Sequence, residues 1–146
     1  MTGRPLVIGS VQVPNSPRGS DAHSDGDVLL HALADALLST FALGDIGLLF
    51  PPSDPNNARL DSSVIVAAVR QLMAQREPRA SVVNVASVVT LDVPKLGALR
   101  EQIVTAVAAL LDIAPDDVGL TFKTSEGLAP DHVQASVSLL VAYTQG

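Results

Sequence analysis

The stretch SVVNVASVVTL, residues 81–91, decides the fold. It is β-branched, apolar and free of Gly and Pro, so it reads as a strand. Alternation puts Val83, Val85, Ser87, Val89 and Leu91 on one face. Val82, Asn84, Ala86, Val88 and Thr90 fall on the other. Both faces are mostly apolar, which predicts a strand central in its sheet or placed at a subunit contact.

Outward from it the chain is punctuated clearly. Downstream, Pro94 suits the first turn of a helix predicted over 96–111. VGLTFK, residues 118–123, reads as a second strand, 124–131 as a Gly- and Pro-containing loop and 133–143 as a last strand. Upstream, Asp61-Ser62-Ser63 caps a helix with its body at 64–75, and 44–58 is a long loop. Before that, Ser24, Asp25 and Asp27 introduce the helical run VLLHALADALLSTFAL, residues 28–43. Its core face carries Leu29, Leu30, Leu33, Ala36, Leu37 and Phe41. Leu6 to Val13 reads as strand, turn at Gly9-Ser10, strand, ended by Pro14. The order β-β-α-α-β-α-β-β does not alternate regularly. It predicts an α+β fold: one two-layer domain over 1–146, with a mixed sheet and helices packed on one face.

At 146 residues and 47% hydrophobic, the chain is long enough to bury a core. A net charge of −6 with only three Phe and one Tyr argues against a nucleic-acid partner. The absence of cysteine excludes disulfides, thiolate metal sites and a cysteine nucleophile. No apolar run approaches a membrane span and no signal peptide is evident, so a cytoplasmic protein with no membrane partner is expected.

Charge is distributed unevenly. Residues 21–58 hold six acidic residues and two histidines but no Lys or Arg. Asp27, His31 and Asp35 are spaced by four and share a helix stripe. Such a stripe suits a divalent cation, or a histidine held by carboxylates. An ordinary solvated acidic face with His31 ion-paired within it is the commoner outcome of such spacing. Lys123-Thr124-Ser125-Glu126-Gly127 runs from a strand into a loop whose hydroxyls and N–H groups can cradle phosphate, with Glu126 beside them for a magnesium ion. Lys95 stands at a predicted helix N-terminus, which is unfavourable unless an anion accompanies it. Singly these are ordinary turns and caps. Together they outline a site for a phosphorylated small molecule and a divalent metal.

The motifs resemble those of the 2-C-methyl-D-erythritol 2,4-cyclodiphosphate synthase family. The resemblance is carried by His23-Ser24-Asp25-Gly26-Asp27, Leu30-His31-Ala32, Asp35-Ala36-Leu37-Leu38, Leu43-Gly44-Asp45-Ile46-Gly47 and Phe50-Pro51 with Asp54-Pro55. Asp61-Ser62, Asn84, Pro94-Lys95-Leu96 and Thr124-Ser125-Glu126-Gly127-Leu128 continue it in order. It implies a cytoplasmic homotrimer with active sites between subunits, acting as a phosphorus–oxygen lyase in non-mevalonate (methylerythritol phosphate) isoprenoid, or terpenoid, biosynthesis. The implied reaction cyclises 4-diphosphocytidyl-2-C-methyl-D-erythritol 2-phosphate and releases CMP. The implied cofactors are zinc and a second divalent metal, magnesium or manganese.

Position by position, the resemblance implies His23 and Thr124 as the catalytic groups that stabilise the transition state. It makes His31 a zinc ligand, with Asp35 beside it, and Glu126 the ligand of the second metal. His23 and Ser24 match contacts to the methylerythritol phosphate, and Asp45 and Gly47 match ribose contacts. Phe50 to Asp54 matches a loop over the substrate. Leu91 to Gly97, with Lys95 and Leu96 in it, matches the cytidine and phosphate pocket, and Lys123, Thr124, Ser125 and Glu126 line the phosphate side.

The resemblance departs at the N-terminus, where family members have a strand ending Asp-x-His that supplies the other two zinc ligands. This chain reads MTGRPL instead, and Asp21-Ala22-His23 has the letters in the wrong place. Pro52, Glu77-Pro78 and Pro130 to Gln134 also depart. Val133 stands where many members have an Arg, a phosphate contact that Lys123 or His132 could replace. Two expectations stand: a synthase with a truncated N-terminus, or a degenerate non-catalytic trimer that still binds cytidine nucleotide or an isoprenoid diphosphate. The otherwise retained site favours the first.

Overall fold

The computed structural model describes residues 6–14, 27–51, 53–55, 61–75, 79–129 and 132–143. The expected turn at Gly9-Ser10 closes a short hairpin. Strands β1 (Val7–Ile8) and β2 (Val11–Gln12) pair antiparallel, Val7 with Gln12 and Ile8 with Val11. Both turn residues have positive φ, 58° and 69°, as a two-residue hairpin turn requires. Asp27 holds this turn from outside the hairpin. Its carboxylate accepts the N–H of Gly9 at 2.9 Å, of Ser10 at 2.8 Å and of Leu30 at 3.1 Å. The first two tie down the hairpin and the third caps helix α1 (Val28–Thr40).

Helix α1 buries Leu29, Leu30, Leu33, Ala34, Leu37 and Leu38. The buried face is therefore turned from the expected one: Ala34 and Leu38 are inside and Ala36 is only half-buried. The helix is also shorter than its apolar run. It stops at Thr40 because Ala42 enters the left-handed region (φ 54°), where the N–H of Leu43 donates to the Leu38 carbonyl at 2.8 Å and that of Ala42 to Ser39. Within the expected loop, a one-turn helix α2 (Ile46–Leu49) is capped by Asp45. Helix α3 (Ser62–Gln75) starts where Asp61 accepts the Ser63 N–H at 2.8 Å, and buries Ile65, Val66, Val69 and Met73.

Strand β3 (Ala80–Leu91) is central, as its two apolar faces predict. The sheet order is β4-β3-β5, with β4 (Val118–Lys123) parallel and β5 (Val133–Tyr143) antiparallel to it. Val89 lies opposite Phe122 on one side and Ala135 on the other. The predicted alternation holds for Val85, Ser87, Val89 and Leu91, which are all buried. It fails at Val83, which is exposed. The register shifts between Val82 and Asn84, and one extra residue in a strand sends the side chains beyond it to the opposite face.

Pro94 does not open a helix. A single 3-10 turn (Gly97–Leu99) precedes helix α4 (Arg100–Leu111), so Lys95 stands ahead of the helix rather than on it. Leu96 is buried, and the chain dips into the core there before the helix begins. Helix α4 contributes Ile103, Val107, Ala108 and Leu111 to the core and ends at Asp112 in the left-handed region. Helix α1 packs on β5, α4 on β4, and α3 on both α1 and α4. Along β5 the residues from Val133 to Val141 at odd positions face this core, while Gln134, Ser136, Ser138 and Leu140 are exposed. The fold is thus α+β with a mixed sheet. Among the described residues no helix is long and apolar enough to cross a membrane.

Candidate active site

A cavity of about 290 Å³ opens where the C-terminal ends of β3 and β4 meet the start of α4. The parallel pairing of β3 with β4 brings both ends to the same side. Val89, Leu91, Pro94, Leu96 and Phe122 supply apolar walls, and Lys95, Lys123 and Arg100 supply three cations. Thr124 stands at the edge, at the first residue after β4. Arg100 is held by its own contacts: its guanidinium lies 4.9 Å from the centroid of Phe122 and donates to the carbonyl of Leu120. An apolar slot rimmed with cations suits a flat base carrying phosphate.

The loop after β4 is fastened to the end of β3 by Asp92. Its Oδ1 accepts the Ser125 N–H at 2.6 Å, and the Ser125 hydroxyl lies 2.8 Å from each carboxylate oxygen. Oδ2 also accepts the Gly127 N–H at 3.2 Å. The Ser125 N–H, followed by its hydroxyl, holds the Asp92 carboxyl below its ordinary value of 3.8. Burial works against them, and the Gly127 N–H and the Lys95 charge add to the depression. Between the two clamped amides, Glu126 sits in the left-handed region at φ 57°, followed by Gly127 at 81°. The Glu126 N–H donates to Thr124 Oγ1 at 3.2 Å, and the Ser125 hydroxyl oxygen accepts the Ala129 N–H at 2.8 Å. Thr124, Ser125 and Glu126 are therefore one hydrogen-bonded unit beside the cavity.

His31 lies elsewhere. It faces a second, wider cavity of about 530 Å³ between α1 and β5, together with Val28, Asp35, Ser39, Gln134 and Val137. The two cavities share no wall residue. The candidate residues therefore fall into two groups, one at the ends of β3 and β4 and one between α1 and β5. The acidic stripe does not converge on His31. Asp27 is buried under the hairpin, and Asp35 Oδ1 accepts the Ile46 N–H at 3.2 Å, tying α1 to α2. Among the described residues no three His, Asp or Glu side chains gather as a metal centre, although His31 and Asp35 line the same cavity.

Asp45 Oδ1 accepts the Leu48 N–H at 2.9 Å and caps α2. Gly47 follows it closely: a Cβ there would stand 3.3 Å from Asp45 Oδ1. Phe50 is half-buried against the core, and Asp54 closes a turn through its N–H to the Pro51 carbonyl at 3.0 Å. His23 and Ser24 lie outside the described residues, as do Pro52, Glu77-Pro78 and Pro130. Sequence reasoning placed Asp92 only within the stretch Leu91 to Gly97, with no role of its own, and missed Arg100. The signal for Asp92 was present, because an Asp directly after a strand and just before a turn is placed to accept backbone N–H groups. Nothing in the sequence marks Arg100, which depends on Phe122 being its neighbour in space.

The chain is similar to known proteins over most of its length. A model of the YgbB family matches residues 1–142. A 2-C-methyl-D-erythritol 2,4-cyclodiphosphate synthase of Thermus thermophilus is 50% identical over 139 residues, 95% of this chain and 90% of that protein. The synthase of Deinococcus radiodurans is 52% identical over 139 residues, 95% and 85% of the two chains. Among solved structures, a 2C-methyl-D-erythritol-2,4-cyclodiphosphate synthase in a CDP-bound form aligns with TM-score 0.89 at 47% identity, covering 97% of this chain and 93% of that one. IspF of Plasmodium falciparum, a CDP complex, aligns with TM-score 0.83 at 25% identity, covering 97% and 86%. This chain belongs to the YgbB family.

Proposed function

We propose that the chain cyclises 4-diphosphocytidyl-2-C-methyl-D-erythritol 2-phosphate to 2-C-methyl-D-erythritol 2,4-cyclodiphosphate with release of CMP, a step of isoprenoid biosynthesis. The observation that carries this is the apolar, cation-rimmed cavity beside the Thr124–Glu126 unit, in a chain 50% identical to relatives of that name. The nucleophile is the substrate's own 2-phosphate oxygen. It forms a bond to the β-phosphorus as the bond from that phosphorus to the CMP oxygen breaks. The protein's work is therefore alignment and charge neutralisation.

The parts fall to named residues. Leu91 and Leu96 hold the cytosine, and Lys95 and Lys123 neutralise the diphosphate. The Thr124 hydroxyl donates to an oxygen on the phosphorus under attack, and Ser125, bonded to Asp92, anchors the loop that carries it. Asp45 and Gly47 meet the ribose, with Phe50 and Asp54 on the covering loop. His23 and Ser24 take the methylerythritol phosphate end. His31, with Asp35 beside it, offers an imidazole donor suited to zinc, and Glu126 a carboxylate suited to magnesium or manganese. Such cations, when bound, supply positive charge to the phosphate oxygens.

A cytoplasmic homotrimer completes the proposal. Its support is the division of candidate residues between two separate cavities, which a neighbouring copy would join by bringing its His31 cavity to the Lys95 and Thr124 cavity. The test is CMP release from the authentic substrate by the 146-residue protein, supplied with zinc and magnesium. Turnover that disappears in Glu126→Ala carries the reading. Nucleotide binding without any turnover selects the non-catalytic reading, a trimer that only binds cytidine nucleotide or isoprenoid diphosphate.

A further inference from the structure

Asp92 has no part in the cavity wall, yet its carboxylate gathers more hydrogen bonds than any wall residue needs. The Ser125 N–H, the Ser125 hydroxyl and the Gly127 N–H all converge on it. These groups flank Glu126, a non-glycine residue held at φ 57°. For such a residue the left-handed region is disfavoured, and surrounding contacts help to hold it there. Asp92 supplies such contacts. It also lies between Leu91 and Pro94-Lys95, so one carboxylate joins two segments that line the cavity, the end of β3 and the loop after β4. Among the described residues the other ties within the loop are local: Thr124 Oγ1 to the Glu126 N–H, Ser125 Oγ to the Ala129 N–H and the Ser125 carbonyl to the Leu128 N–H.

We propose that Asp92 is a positioning residue: through Ser125 and Gly127 it fixes Thr124 and Glu126 against the terminal phosphate of a cytidine diphosphate ester seated in the neighbouring cavity. This rests on the reading of that cavity given above. Leu91 and Leu96 are assigned to the base, whereas the clamp holds the loop of Thr124 and Glu126, so its loss weakens the second phosphate more than the base. A carboxylate is required rather than an amide. Asp92→Asn turns one of two acceptor oxygens into an NH2 that opposes the Ser125 or Gly127 N–H. Ser125→Thr keeps the hydroxyl, whereas Ser125→Ala removes it and leaves the backbone bonds.

The experiment measures CDP and CMP affinities by calorimetry on the full chain in one magnesium buffer, with steady-state CMP release alongside. The expected result for Asp92→Asn is a CDP-to-CMP affinity ratio lowered about fivefold or more, with CMP affinity within twofold. In turnover, kcat falls at least tenfold while KM moves less than threefold. Ser125→Ala shows a smaller loss of the same kind, and Ser125→Thr restores it. An unchanged affinity ratio in folded Asp92→Asn overturns the proposal, as does an equal loss of both nucleotides. Should Asp92→Asn fail to fold, the Ser125 pair decides by the same ratio. If wild-type protein binds both nucleotides but releases no CMP, the reaction reading fails while the ratio still judges the clamp. If wild-type protein binds neither, both readings fall.

Discussion

Gly9 donates its backbone N–H to Asp27 Oδ1 at 2.9 Å, across 18 residues of chain. The same carboxylate takes Ser10 and Leu30, so one buried side chain sets the hairpin against the first turn of α1. Asp27→Ala leaves three backbone donors short of their acceptor. A loss of about 3 kcal/mol is expected, since hydrogen bonds to a buried charged group are worth roughly 1.5–3 kcal/mol and not fully additive. Urea unfolding followed by circular dichroism reads it directly. A loss below about 1 kcal/mol would mean the hairpin is not anchored by this residue.

Gly9 has no room for a side chain. A Cβ would stand 2.8 Å from Ile103 Cγ2 and 3.1 Å from Leu29 Cδ2, at a φ of +58° that L-residues disfavour. Gly9→Ala therefore destabilises by about 1–3 kcal/mol, from overpacking and backbone together. A thermal melt of the variant shows the drop. An unchanged midpoint would show that the hairpin shifts freely over α4.

Asp35 supports the segment that carries Asp45. Its Oδ1 accepts the Ile46 N–H at the start of α2, in a bond open to solvent. Asp35→Ala costs little global stability but loosens the presentation of Asp45. The expected result is KM raised about fivefold, the equivalent of about 1 kcal/mol, with the melting midpoint nearly unchanged. Initial-rate kinetics beside a melting curve separate the two effects.

Acid sensitivity follows from Asp92. Its folded-state pKa lies below 3.8, depressed first by the Ser125 N–H. A carboxyl lowered on folding contributes stability that is complete above the unfolded pKa and is lost as pH falls through the folded one. The stability gap between wild type and Asp92→Asn is therefore full at pH 6 and narrows as pH drops below 3.8. Chemical denaturation at pH 6, 4 and 3 tests this. A gap that widens toward acid reverses the sign and removes the cause.

Much of the fold was legible because local pattern and tertiary role agree. The two apolar faces of residues 81–91 predicted a central strand, and Asp61 and the Gly9-Ser10 pair announced a cap and a turn. Where readings missed, a long-range requirement prevailed. Val83 faces out because of a register shift set by pairing with β5, and α4 starts late because Leu96 is taken into the core. The stripe Asp27, His31, Asp35 was sound helical geometry. Its carboxylates are nevertheless spent on backbone N–H groups that only folding brings near.

The sequence by itself determined the family, through motifs whose order survives in one dimension, and the candidate residues those motifs name. The tertiary structure alone decided how the candidates group: Lys95, Lys123 and Thr124 meet at the ends of parallel β3 and β4, while His31 lines a separate cavity between α1 and β5. It also revealed Asp92, which touches the loop 33 residues on. Strand order and register are settled by side chains packing across the sheet, and spacing along the chain carries no record of such contacts.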